Sequence, residues 1–290
     1  MEGHATLEFH DQIELENPVL IAAFRGWNDA GDAASFAAQH LVRVWGGKRL
    51  ASIDSEDFFD FQAVRPQVHL DEGMTRHVSW PANDFYAARL PGLPNDVLIM
   101  VGTEPNHRWK TFSGLIVDVA ERASVSLVVT LGALLADVPH TRPVPITGTA
   151  GDQQLVDRLG LQRSRYEGPT GIVGVLHDSF ARSGVPSASL WAAMPHYLAV
   201  TPNPKGALAL VDKVVGLIKV GADVSDLEAA VRAYDERVTK LVQADEDVQH
   251  YVAMLEERAD DRNQEEVEIE LPSGDALAAE LERFLRERDS

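Results

Sequence analysis

Four times along the chain a short, continuously apolar run stops and hands over to a polar segment. Residues 19–24 lead into Arg25-Gly26-Trp27-Asn28-Asp29-Ala30-Gly31. Residues 97–101 lead into Gly102-Thr103-Glu104-Pro105-Asn106-His107-Arg108-Trp109-Lys110. Residues 127–131 lead, through a short apolar stretch, into Asp137-Val138-Pro139-His140-Thr141-Arg142-Pro143, and residues 189–194 into Pro195-His196-Tyr197. Runs this short and this unbroken predict strands buried on both faces.

Between the runs the period becomes helical. Over residues 30–45, Ala33, Phe36, Ala37, His40, Leu41 and Val44 share one face, and Gly46-Gly47 ends the helix. Over 109–122 the inward set is Phe112, Leu115, Ile116, Val119 and Ala120. Shorter helices are predicted at 151–159 and 171–182, and a longer one at 204–220 opens on Pro204, which the first turn tolerates. The alternation predicts an α/β fold with a mostly parallel sheet flanked by helices. In such a sheet the polar exits gather at the carboxyl edge of the strands, where ligands bind.

Residues 48–53 and 85–90 add two further strands. Residues 67–70 and 75–80 alternate around Asp71-Glu72-Gly73 and predict a hairpin outside the main sheet. From Ala222 the strand signals stop. Residues 226–242, 245–261 and 273–288 read as helices. The chain therefore divides into an α/β core, 1–221, and a C-terminal helical region, 222–290.

Charge sharpens that division. The last 69 residues carry 21 acidic and 8 basic side chains, a net −13 of the chain's −19. Repulsion from phosphates excludes nucleic acid as a partner. An acidic surface of this kind solubilises or docks a basic protein. The chain has no cysteine, which removes disulfides, thiolate metal sites and thiol nucleophiles and favours a reducing compartment. The start, Met1-Glu2-Gly3-His4, has no signal-peptide pattern, and no apolar run is long enough for a membrane span. The expected location is the cytoplasm, with no membrane partner.

The exits hold the candidate chemistry. Asn28 and Asp29 lie between a strand and a helix N-terminus, where free N–H groups favour a polar ligand or simply receive a cap. Glu104 and His107 share one loop, where a carboxylate and an imidazole can orient each other and move a proton. Trp109 stands beside them at a helix start. His140 and His196 each follow a strand. Asp60 and Arg65 flank Phe61 in the loop after the second strand, as a pair or as a rim that holds an anion. His177 falls on a predicted amphipathic helix and reads as structural. Pro105 between Glu104 and His107 argues for a loop and against a helical metal pair, so no metal is expected. There is no Gly-x-Ser-x-Gly elbow and no Walker loop.

Several of these segments together resemble the proteasome assembly chaperone 2 family, in its actinobacterial branch of uncharacterised proteins. They are Gly26-Trp27-Asn28-Asp29-Ala30-Gly31, Asp60-Phe61 with Arg65-Pro66, Gly102 with Glu104-Pro105 and Trp109, residues 131–143, and Pro195-His196-Tyr197 with Pro202-Asn203-Pro204. The resemblance covers roughly residues 15–220, and the helical end also resembles that branch. It implies a three-layer core like that of purine nucleoside phosphorylases and peptidyl-tRNA hydrolases. It also implies a homo-oligomer, with a trimer favoured, built partly with the hairpin, and C-terminal helices lying as a lid over the ligand site. Members that act on proteasomes can dock through a terminal hydrophobic-tyrosine-any tripeptide. This chain ends Arg288-Asp289-Ser290, so docking of that type is not expected.

Two functions follow. One is a non-catalytic factor that senses a small-molecule ligand or assembles a protein partner. The other is a small-molecule enzyme of hydrolase or phosphorylase type, working at the strand carboxyl ends with Asp29, Glu104, His107, His140 and His196. No cofactor or substrate is identified.

Overall fold

The computed structural model describes residues 7–71, 75–163 and 166–264. In chain order its elements are β1 (Leu7–Phe9), β2 (Val19–Arg25), α1 (Ala33–Val44), β3 (Lys48–Ile53), β4 (Gln67–Asp71), β5 (Thr75–Ser79), β6 (Asn83–Ala88), β7 (Val97–Thr103), α2 (Trp109–Arg122), β8 (Leu127–Ala136), β9 (Ile146–Ala150), α3 (Gln153–Leu159), β10 (Gln162–Arg163), α4 (Ile172–Ser183), β11 (Ser187–Pro195), α5 (Pro204–Ile218), α6 (Ser225–Gln243) and α7 (Glu246–Gln264). The helix expected at 273–288 and the hairpin turn at 72–74 lie outside the described residues.

Nine strands form one sheet in the order β1-β3-β6-β7-β2-β8-β11-β9-β10. The four exit strands are its centre: β7, β2, β8 and β11 are neighbours and all parallel. Antiparallel pairing takes over at the flanks, through β6 and β3 to β1 on one side and through β9 on the other. The four polar segments consequently leave from one edge, as the pattern predicts.

The central strands read as unbroken apolar runs because each face has its own core. Ile21, Ile99, Val129 and Leu190 point to α1 and α5, joined by Ala37, Leu41, Leu210 and Val214. Leu20, Leu98, Met100 and Val128 point to the other face, where Phe112 and Ile116 of α2 meet Leu176 and Phe180 of α4. The result is a three-layer α/β sandwich. One polar bridge crosses it: His177 of α4 bonds Thr130 of β8 at 2.9 Å and Ser187 of β11 at 2.8 Å. Burial lowers the His177 pKa to about 4, so the ring is a neutral structural link.

Among the described residues, strands β4 and β5 pair only with each other. Val68 lies opposite Val78, and alternation puts Leu70 and Trp80 on the same face as that pair. That face is open: Val68 is 60% and Leu70 62% exposed. At its base the Trp80 ring meets Phe61 edge-on at 4.8 Å.

Helix α6 returns alongside α5. Its start is tied to α1, through the Arg43–Asp226 pair at 2.5 Å and through His40 to the Asp223 carbonyl at 2.8 Å. Leu227 joins the α1–α5 core, and Tyr234, Val238 and Val242 form a small separate core with Val252 of α7 and with Tyr197, Leu198 and Val200.

Candidate functional site

On the β2–β7 half of the carboxyl edge, one carboxylate organises three segments. Glu104 follows β7 directly. Its Oε1 accepts from Asn28 Nδ2 at 3.1 Å and from the backbone N–H of Ile172 at 2.8 Å, which opens α4. Its Oε2 accepts from the Trp27 N–H at 3.4 Å. A negative group at a helix N-terminus is favoured by the unpaired N–H groups there. Two glycines leave room for it. A Cβ at Gly171 would lie 2.2 Å from Asn28 Nδ2, and Gly26 has φ +132° with Glu104 Cβ 3.0 Å from where its own Cβ would be.

Asp29, on the same exit, is spent in a similar way. It is 5% exposed, and its carboxylate accepts from the N–H groups of Ala34 at 2.7 Å and Ser35 at 3.3 Å, in the first turn of α1. Burial outweighs these donors and raises its pKa to about 6. The loop is pinned to β8 as well, since Ala133 N–H donates to the Asn28 carbonyl at 2.8 Å.

The β8–β11 half carries a separate cluster. The Tyr197 hydroxyl accepts from His140 N–H and bonds His140 Nδ1, both at 2.8 Å. His196 Nδ1 lies 3.2 Å from Asp137, and Tyr251 of α7 bonds His196 Nε2 at 3.4 Å. Burial lowers the His140 pKa, helped by Lys205, and raises Tyr197 and Tyr234 to about 12. Lys205 Nζ donates to the His140 carbonyl at 2.5 Å and faces Asp235 of α6 at 3.2 Å. Asn203 caps α5 at Lys205 and Gly206 and donates to the Tyr234 hydroxyl at 2.8 Å. Of these groups His140, Asn203, Lys205 and Tyr234 line a cavity of about 10 Å³, room for about one water. Helices α6 and α7 thus seat on residues 137–142 and 195–205.

The remaining candidates stand apart. His107 is exposed and does not meet Glu104. The N–H groups of Asn106 and His107 both donate to the Phe58 carbonyl, and Arg108 turns the chain at φ +56°. Asp60 and Arg65 are both exposed and do not pair; Asp60 accepts from the Gln62 N–H at 2.8 Å instead. Trp109 packs beside the α2 core and donates to the Pro105 carbonyl at 2.6 Å. Among the described residues, no group of three or more His, Asp or Glu could hold a metal ion, and no helix is long and apolar enough to cross a membrane. An open groove of about 820 Å³ lies at the other edge of the sheet, lined by Ile13, Trp45, Leu50 and Arg122.

Residue-by-residue reading missed Lys205, Tyr234 and Tyr251. The only sequence signal was Asn203 before Pro204, which marks a capped helix start.

The model of the PAC2 family matches residues 23–242. A PAC2 family protein from Streptomyces avermitilis is 45% identical, with TM-score 0.75, over 81% of this chain and 99% of that one. A proteasome-assembly chaperone homologue from Mycobacterium tuberculosis is 43% identical, with TM-score 0.73 and the same coverage. PbaB of Pyrococcus furiosus, an archaeal proteasome activator, shares the fold at 18% identity and TM-score 0.67, over 82% of this chain and 98% of that one. No curated protein matches the chain.

Proposed function

Because the chain belongs to the PAC2 family, we propose that it works as a non-catalytic protein-assembly factor, in the cytoplasm and as a homo-oligomer. One observation carries the reading. The two carboxylates at the β2 and β7 exits, Asp29 and Glu104, spend their acceptor capacity on backbone N–H groups of their own fold. A carboxylate so engaged holds loops and helix starts together, and is poorly placed to take a proton from a substrate. The description of the Mycobacterium tuberculosis relative points to proteasome subunits as the clients.

In this reading the β4–β5 hairpin is the contact between copies. Its open apolar face, Val68, Leu70, Val78 and Trp80, is the kind of surface that associates, and two unpaired strand edges invite pairing with another chain. The family resemblance favours a trimer. In this reading the chain divides at residue 221, and the helices of residues 225–264 cover the β8 and β11 exits.

The test is a reconstitution. Proteasome α and β subunits of the same source organism are mixed with and without the protein, and 20S particles are followed on native gels. Wild type should speed particle formation. A Val68→Glu/Val78→Glu variant should sediment as a smaller species and lose the effect. Unchanged assembly rates with wild type present would refute the proposal.

A further inference from the structure

The acidic C-terminal helices meet the rim of the core at its cations. Arg142, in the β8 exit loop, makes a bidentate bond to Asp260 of α7, at 2.8 Å from Nε and 2.7 Å from Nη2. The same guanidinium reaches Glu256 at 3.3 Å, and the Thr141 hydroxyl donates to Glu256 as well. Lys205 faces Asp235 of α6 at 3.2 Å. Planar two-point capture of a carboxylate by arginine is specific recognition and not a chance surface pairing.

From this geometry we infer that the rim at Thr141 and Arg142, beside Lys205, is a docking surface for an acidic segment of a partner protein, and that α7 occupies it as an internal stand-in. Charge complementarity identifies the occupant: a chain segment carrying spaced carboxylates, as α7 does with Glu256 and Asp260. The attachment suits exchange. Arg142 is 34% exposed and Asp260 50%, so water and salt reach the pair and screen it. The apolar side of α7 is satisfied partly within the helical region, where Val252 packs with Val238 and Val242 of α6. Arg142 can therefore change carboxylates while α6 stays in place through Leu227 and Tyr234 and keeps Asp235 on Lys205. The inference rests on the assembly-factor reading only in taking the ligand to be a protein; hairpin association is measured separately and leaves it untouched.

The test uses the full chain and a fluorescein-labelled oligoglutamate peptide, read by anisotropy. Glu256→Gln/Asp260→Asn keeps the shape of both side chains and removes the competing charges. It should bind the peptide about tenfold more tightly than wild type, and raised salt should abolish the gain. Adding Arg142→Ala should return affinity to the wild-type level. Hydrogen exchange of residues 246–264 should rise in the double variant. No gain in peptide affinity overturns the inference, whether or not the helix loosens. A gain that survives Arg142→Ala overturns it too, since the peptide then binds elsewhere. An equal gain for inorganic phosphate with none for peptide would make the surface a small-anion site and refute the protein partner.

Discussion

Asp29 offers the sharpest test of the claim that the exit carboxylates serve the fold. Its pKa stands at about 6 against an ordinary 3.8, because burial disfavours the charge more than the α1 N–H groups favour it. At about 1.4 kcal/mol per tenfold step in proton affinity, that difference is worth about 3 kcal/mol. The sign follows from the direction. The folded state prefers the protonated form, so the favourable contribution is complete below about pH 3.8 and is lost as pH rises through about 6. Asp29→Asn does not titrate. At pH 4 the variant should be the less stable, by about 1 kcal/mol, because its amide nitrogen faces the Ser35 N–H instead of an acceptor. By pH 7.5 the balance should have moved about 2.5 kcal/mol in the variant's favour, leaving it the more stable by about 1.5 kcal/mol. Urea unfolding at matched protein concentration, at pH 4, 6 and 7.5, measures the difference. A wild-type-to-variant gap that stays constant with pH refutes the reasoning. So does a wild type that gains on the variant as pH rises, for then the helix donors outweigh burial.

His177 should behave with the opposite sign. Its pKa is lowered to about 4, so its contribution is present above about 6.5 and lost as pH falls; His177→Gln should remove up to about 3 kcal/mol of acid sensitivity, read from the same urea series. Gly171→Ala forces a methyl against Asn28 and Glu104 and should cost about 1–3 kcal/mol of stability, whereas Gly151→Ala, with open space around it, should cost far less on the same denaturation curve. Truncation after residue 221 should leave a folded core by circular dichroism. It should raise hydrogen exchange at 137–142 and 195–203, where the helices seat, and unchanged exchange there would refute that seating.

Much of this architecture is legible because the central strands are buried twice over. Strands β2 and β7 announce themselves as unbroken apolar runs, and α1 and α2 show one clean face each. Strand β9 does not. Ile146-Thr147-Gly148-Thr149-Ala150 carries no strand pattern of its own and is a strand through its pairing with β11 and β10. Strand β8 runs on to Ala136 for the same reason, since β11 pairs with it through Pro195. Edge and tail pairings of this kind depend on the neighbour, which local pattern does not contain. The site divides along the same line. Convergence of the four exits follows from parallel order alone. Their separation into a Glu104 knot and a His140–Tyr197 cluster depends on long-range bonds. The expected Glu104–His107 partnership fails because the backbone at 106 and 107 is tied to the Phe58 carbonyl, 48 residues or more away in sequence, while Glu104 is tied to Asn28 and Ile172.

The Glu104 knot also bears on the order of folding. Its partners lie 76 residues earlier, at Asn28, and 68 residues later, at Ile172. The loop between Glu104 and either partner must be closed before the carboxylate gains anything, and neither closure is useful until β2 and β7 are paired and α4 has a first turn. The knot is therefore expected late on the route to the native state. If its bonds form after the main barrier, Glu104→Gln should speed unfolding and leave the folding rate nearly unchanged, and an equal slowing of folding in stopped-flow refolding would refute that order.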